Sequence, residues 1–278
     1  MEDFEELVAA LLGLEATTTP ADLNILSDGR ARVDLGRESR KGVPEIIYAE
    51  RKTIEATIAI ARQFLVAGAG RAIISRARPD LAARLETELS SVEWQGQSVT
   101  VKIEQSNATD IIVLRRKGVA KLDTGGRVGI ITAGNSDIPI ALEAEVIARE
   151  MGCHVSSIYD VGVAGLHRLF GPLKTMLAGQ PDVIIVAAGM DGALPSVVTG
   201  LVNVPVIGLP TSVGYGMGGK GVAALLSMLQ TCAPGLTVVN IDNGVGAGAT
   251  AAIIANRVAQ VRAQISPQRH GEYGGNPK

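Results

Sequence analysis

Three apolar, β-branched runs in the second half of the chain each end in glycine and small polar residues. The run over 127–132 leads into Ala133-Gly134-Asn135-Ser136-Asp137, and the run over 182–187 into Gly189-Met190-Asp191-Gly192. The run over 205–209 leads into Pro210-Thr211-Ser212-Val213-Gly214-Tyr215-Gly216. None alternates apolar with polar residues, so each reads as a strand buried on both faces, the mark of a parallel sheet. Between them the apolar positions recur at helical spacing. The resulting order is strand 127–132, helix 138–151, strand 154–158, helix 162–178, strand 182–187, helix 193–202, strand 205–209, helix 219–230, strand 236–241 and helix 248–264. Repeated βα units with short connections predict a right-handed, doubly wound α/β sheet whose ligand site lies at the carboxyl ends of the strands.

The first half reads differently. Phe4 to Leu14 has helical spacing, and Gly29 to Arg51 is rich in Arg and Lys, a solvated face or a phosphate-facing surface. Its end, Gly42-Val43-Pro44-Glu45-Ile46-Ile47-Tyr48, is a turn into a short strand. Thr53 to Val66 and Pro79 to Leu89 follow as helices. Ala72 to Ser75, Val99 to Ile103 and Ile111 to Leu114 follow as strands. This predicts a small α/β domain over 1–124, a doubly wound domain over 125–266 and a polar, flexible tail over 267–278, with Asp123-Thr124-Gly125-Gly126 as the boundary.

Composition narrows the function classes. Hydrophobic residues make up 46% of the 278 positions, which is ample core material, while aromatics are only 3%. So few aromatics leave no stacking platforms for single-stranded nucleic acid. A formal net charge of −2 gives no general attraction to nucleic acid or to an anionic membrane. Two cysteines, Cys153 and Cys232, do not form a disulfide framework, so a reducing, cytoplasmic setting is expected. Three scattered histidines suggest no metal cluster. The opening Met1-Glu2-Asp3 is acidic where a signal peptide is basic, and no apolar run approaches the roughly 20 residues of a membrane span.

Each candidate motif has a plainer counterpart. Gly214 to Gly219 matches G-x-G-x-x-G, with Asp242 placed like a ribose-binding acid, but the motif follows a late strand rather than the opening one. It is a dinucleotide loop or simply another glycine turn. Gly134 to Asp137 is an anion site, with the Ser136 hydroxyl on phosphate and Asp137 on ribose, or it is the cap of the next helix. Asp191 is a functional loop carboxylate or a solvated one. His167 is a site contact or a structural residue. Cys232 and Cys153 are reactive thiols or apolar filler, the second reading weighing more for Cys153.

With those residues in view, the chain resembles the LarB family of nickel-pincer cofactor biosynthesis carboxylases over nearly its whole length. The resemblance rests on Gly42 to Tyr48, Thr132 to Pro139, Ile158 to Leu169, Ala188 to Pro195, Pro210 to Gly216 and Val239 to Gly244. The second half is also similar to PurE-type carboxyaminoimidazole ribonucleotide mutases, which carry a Gly-Ser-x-Ser-Asp loop and an Ala-His-Leu-Pro loop. Here Ala193 stands where PurE has its histidine, so PurE's proton shuttle is missing. Asp191 stands where the LarB pattern has Glu, Asn135 where it has Thr, and Val245 where it has Phe.

The resemblance implies a reaction: nicotinic acid adenine dinucleotide and CO₂ become pyridinium-3,5-biscarboxylic acid mononucleotide, with release of AMP. It assigns the nucleophile to Cys232 and the ring-proton acceptor to Asp191. It implies substrate contacts from Gly134, Asn135, Ser136, Asp137, His167, Gly189, Met190, Gly192, Ala193, Thr211, Ser212, Gly214, Tyr215 and Asp242. No tightly bound cofactor is implied, and magnesium is a candidate aid without a legible ligand set. An even-numbered homo-oligomer, up to the octamer of PurE-like domains, is the implied assembly. Two readings of another class stay open: a nicotinamide-dependent oxidoreductase and a nucleotide-binding scaffold with little catalysis.

Overall fold

The computed structural model describes residues 23–25, 32–105 and 109–265. The helix expected over 4–14 and the tail expected from 267 lie outside them. The chain clusters into two compact units. The first runs to Glu104 and includes Ile112–Val119; the second takes Gln105–Ile111 and everything from Ala120.

In the first unit, β1 (Leu23–Ile25) pairs antiparallel with β2 (Arg32–Asp34). A separate sheet is built from β3 (Ile46–Tyr48), β4 (Arg71–Ser75), β5 (Ser91–Trp94), β6 (Gln97–Gln105) and β7 (Ile112–Arg116), in the order β3-β4-β7-β6-β5. Among the described residues three helices accompany them: α1 (Arg37–Lys41), α2 (Ile54–Val66) and α3 (Pro79–Leu89). α2 begins where the Thr53 hydroxyl accepts the Ala56 amide at 3.2 Å. Ile58, Ala61 and Leu65 of α2 and Leu81 and Leu85 of α3 share one core with Ile47, Ile74 and Leu114 of the sheet. β3 and β4 are parallel, whereas β4 and β7 are antiparallel, so this sheet is mixed.

β5 is not among the strands the sequence pattern predicts. Its hairpin to β6 turns through Gln95 and Gly96, both left-handed at φ 51° and 75°. That is a two-residue turn of the primed kind, but Gln replaces the usual Asn or Asp signal. Two cations of the basic stretch are paired with carboxylates of the same segment, Arg37 with Glu45 at 2.5 Å and Arg40 with Asp34 through both terminal nitrogens, and Arg71 adds a pair to Glu38 within it at 2.5 Å. For these residues the ion-paired face replaces the phosphate-facing one.

The second unit is a fully parallel sheet, as the sequence pattern predicts. Its strands are β8 (Arg127–Thr132), β9 (His154–Ile158), β10 (Val183–Ala188), β11 (Val206–Pro210) and β12 (Leu236–Val238). They alternate with α4 (Ile138–Glu150), α5 (His167–Ala178), α6 (Ala193–Thr199), α7 (Val222–Leu229) and α8 (Gly244–Ile265). The spatial order is β9-β8-β10-β11-β12. The central β10 is buried along its whole length. Chain order reverses between β8 and β10, and a crevice at the carboxyl ends of such a pair is where open α/β sheets bind ligands.

The expected elements shift at their ends for local reasons. β12 stops at Val238, short of 241, and beyond it the chain turns, with Asp242 in the left-handed region at φ 53°. α7 starts at Val222, since Gly216–Gly218 forms a separate 3-10 turn. α8 starts at Gly244, four residues early, because Ala247, Ala251 and Ala255 bury a small-residue face.

Candidate functional site

A cavity of about 310 Å³ opens at that reversal. Its walls come from the segments that follow β8, β9, β10 and β11. Asp137 lines it and is only 3% exposed. The carboxylate draws several strand ends together. Its Oδ2 accepts the Gly134 amide at 2.8 Å and its Oδ1 accepts the Thr211 hydroxyl at 2.6 Å. The Gly189 amide also donates to it. Burial pushes this carboxyl above its ordinary range. The three hydrogen bonds oppose that shift, and the nearby Asp242 charge reinforces it.

Asp191 also lines the cavity and is exposed to solvent. The loop that carries it is tightly folded. Met190 and Gly192 on either side are left-handed at φ 51° and 61°. The Met190 amide donates to the Val213 carbonyl at 2.8 Å. A Cβ at Gly189 would stand 2.1 Å from that same oxygen, so only glycine lets the β10 and β11 loops approach this closely. A non-glycine residue held at positive φ beside a cavity is a common feature of functional sites.

The cavity also has a cation, Arg168 on the first turn of α5, paired with Asp160 at 3.0 Å. The family resemblance points to its neighbour His167 instead. His167 is exposed and lies outside the lining. Helical geometry explains the difference, since residues one apart point about 100° away from each other. Arg168 already stood within the quoted run Ile158 to Leu169, so that signal was available.

The remaining candidates divide. Gly134, Ser136, Gly189, Met190 and Ala193 line the cavity. Asn135 is exposed and outside the lining. The Thr211 hydroxyl is committed to Asp137, and the Ser212 amide donates to Asp242 Oδ1 at 2.8 Å, so these residues shape the site from behind. Gly192 packs on Ala224 and Gly214 on Met190. Tyr215 is 83% exposed. Leu194, Val213 and the Gly162–Ala164 turn line the cavity without having been singled out.

Cys232 is not brought to the cavity of its own chain. It is exposed and sits between α7 and β12, four residues before Leu236. Leu236 pairs with Val206, the first residue of β11, so Cys232 lies at the amino edge of the sheet. A five-residue strand, roughly 17 Å long, separates the two edges. Cys153 is buried and donates to Asn256 Oδ1 at 3.2 Å, and burial pushes its thiol up to about 11. It is a poor nucleophile at neutral pH.

Asp137 reaches back to the Gly134 amide and so caps the short 3-10 turn Asn135–Asp137 that leads into α4, while Ser136 lines the cavity; the loop serves both as a cap and as a cavity wall. The Gly214–Gly219 loop follows the fourth strand of its sheet in chain order, and Asp242 Oδ1 accepts the Ser212 amide. Among the described residues, no group of three or more His, Cys, Asp or Glu is placed to hold a metal ion. No helix among them is long and apolar enough to cross a membrane.

The sequence model of the AIR carboxylase family matches residues 127–273. That of the LarB/PurE-like N-terminal domain matches residues 25–105. An uncharacterised protein of Methanocaldococcus jannaschii is 43% identical over 226 residues, covering 81% of this chain and 84% of that one. The N5-carboxyaminoimidazole ribonucleotide mutase of Thermotoga maritima is 33% identical over 135 residues, covering 46% of this chain and 74% of its own. The mutase of the same name from M. jannaschii is 32% identical over 145 residues, covering 52% of this chain and 85% of its own.

Proposed function

This chain belongs to the AIR carboxylase family and carries a LarB/PurE-like N-terminal domain, and on that premise we propose that it carboxylates the pyridinium ring of nicotinic acid adenine dinucleotide and hydrolyses the phosphoanhydride. The observation that carries the choice over a PurE-type mutase is Ala193. It lines the cavity where the PurE pattern has histidine, so the proton of a PurE reaction has no such carrier. The match of the LarB/PurE-like domain to 25–105 supports the same choice.

The chemistry assigns work to residues on both edges. A thiolate adds to the ring carbon beside the position to be carboxylated. The ring loses its aromaticity and becomes an enamine, whose carbon forms a bond to CO₂. A carboxylate then takes the proton from that carbon, the electron pair re-forms the ring, and the thiolate leaves. Asp191, at the cavity wall, is the proton acceptor. Arg168 offers its guanidinium to the substrate's carboxylate or phosphate, and Ser136 its hydroxyl to the phosphate. Water cleaves the phosphoanhydride and AMP departs. A cavity of about 310 Å³ suits one nucleotide half, which leaves the AMP half at the mouth within reach of water.

Cys232 remains the proposed thiolate, and because it lies at the amino edge, away from its own chain's cavity, the reading has it serve the cavity of another copy. An exposed apolar face supports such an assembly. Val222, Leu226 and Leu229 recur at helical spacing along α7, with Met217 and Tyr215 before them, and the face ends three residues from Cys232. A face of this kind on a chain of the present net charge suits burial against a second copy.

The test is incubation of the protein with nicotinic acid adenine dinucleotide and bicarbonate, followed by mass spectrometry. A mononucleotide product heavier by one CO₂, with an equivalent of AMP, is expected. Turnover of N5-carboxyaminoimidazole ribonucleotide in its place returns the chain to the mutase reading. A change of redox state in the dinucleotide marks an oxidoreductase, and binding without turnover marks a scaffold.

A further inference from the structure

Arg168 is held by a seat built from residues outside the cavity. Asp160 occupies the left-handed region at φ 58°, which few non-glycine residues adopt. Its amide donates to the Thr132 hydroxyl at 3.0 Å, and the next amide, Val161, donates to the Thr132 carbonyl at 3.1 Å. Thr132 is fully buried at the end of β8, so the strand itself anchors the turn. The Asp160 carboxylate then takes Arg168 Nη1 at 3.0 Å. Gly165 completes the seat. Its carbonyl lies 3.4 Å from Nε, and a Cβ there would stand 2.7 Å from the same nitrogen. Neither Asp160 nor Gly165 lines the cavity, whereas Arg168 does.

The pair is half exposed, with 41% of the Arg168 side chain and 56% of the Asp160 side chain open to solvent. Exposed ion pairs add little to folding. A strained backbone kept for such a pair points to orientation rather than stability.

We propose that Asp160 is a positioning residue that holds the Arg168 guanidinium over Gly165, ready for the anionic group of a pyridine nucleotide. The proposal rests on the pyridine-nucleotide reading above. The guanidinium approaches a carboxylate or phosphate through its remaining N–H groups, and a fixed fork loses less freedom on binding than a free side chain does.

Calorimetric titration of the full chain tests it with two probes. Nicotinic acid mononucleotide carries both anions, and nicotinamide riboside carries neither. Asp160→Asn should weaken the mononucleotide by about 10-fold and leave the riboside unchanged. Gly165→Ala, which displaces the guanidinium without altering charge, should do the same. Asp160→Asn added to Arg168→Ala should have no further effect, because both act through one contact. Equal weakening of both probes, or effects that add to Arg168→Ala, means that Asp160 merely supports the loop and overturns the proposal. If the wild type binds neither probe, the pyridine-nucleotide reading is the one that fails. Inorganic phosphate then becomes the probe: loss of phosphate affinity in Asp160→Asn upholds the seat, and unchanged affinity overturns it.

Discussion

The carboxyl and amino edges of the second unit's sheet are made by the same five strands, yet they are built on different terms. At the carboxyl edge, Asp137, Asp191 and Arg168 converge on one cavity. Two of the three depend on left-handed residues, Met190 beside Asp191 and Asp160 beneath Arg168. At the amino edge the polar groups close on one another. Asp182 accepts the Arg127 amide at 2.8 Å and also pairs with Arg262, while Asn256 accepts from Thr124 and Cys153 and donates to Met151. The carboxyl edge presents Asp191, Ser136 and part of Arg168 to the cavity, whereas the amino-edge groups close on one another. Cys232 is the exception: a thiol with a proposed chemical role, exposed on the edge that otherwise serves stability.

The strongest way to break that contrast is Cys232→Ala, which should abolish carboxylation, while Cys153→Ala should leave most of it. If Cys232 serves another copy's cavity, mixing the inactive Cys232→Ala and Asp191→Asn proteins should restore part of the activity, since some cavities then combine one intact residue from each. A mixture that stays inactive after subunit exchange removes the shared-site reading.

Asp191→Asn should lower turnover by about 100-fold or more and leave dinucleotide binding nearly intact, because the amide keeps the loop's shape but cannot take the ring proton. Asp191→Glu sharpens the point. It extends the carboxylate by roughly 1.5 Å to the length of the LarB pattern, and about 1 Å of displacement can change a rate on the order of 100-fold. Activity equal to or above wild type is expected. A loss as deep as that of Asn would take the proton-acceptor role away from this position.

Ser136→Ala should weaken the dinucleotide by about 10- to 150-fold, the equivalent of a lost hydrogen bond to a charged group worth about 1.5–3 kcal/mol. Nicotinic acid, which has no phosphate, should be affected less. Titration beside a thermal melt checks it. Unchanged affinity with a lower melting temperature would leave Ser136 only a structural part.

The smallest effect concerns Asp137 and pH. Its carboxyl is raised in the fold, chiefly by burial, so the folded chain binds a proton that the unfolded chain has already released. Stability from this group is therefore present below the ordinary carboxyl pKa and is lost as pH rises through the raised value. Asp137→Asn lacks that slope. The wild type's stability margin over the variant should be widest in acid and shrink towards neutral pH. Melts of both proteins across that range would show a constant margin if the group were unperturbed.

The helices and strands of the second unit were legible because their apolar runs are long, β-branched and punctuated by glycine. The Gly134–Asp137 and Gly189–Ala193 loops were legible as site material for the same reason, since they sit at strand ends. Arg168 was harder to separate from His167. The two are adjacent in sequence, and only the phase of α5 decides which one meets the cavity. Thr211 carries a hydroxyl that suits a phosphate on paper, but the fold sets Asp137 2.6 Å away and takes that hydroxyl first. The β5–β6 hairpin was hidden because its left-handed turn uses Gln95, a residue that signals no turn.

By itself, the sequence determined the parallel α/β order, the loops that end its strands and the family motifs they carry, because periodicity and turn chemistry are local properties of the chain. The tertiary structure decided which edge each reactive group occupies. It buried Asp137 under three donors, turned Arg168 towards the cavity and left Cys232 one strand length away. Those outcomes depend on strand order and register, which bring together residues as far apart as Asp137 and Thr211 and which no local pattern encodes.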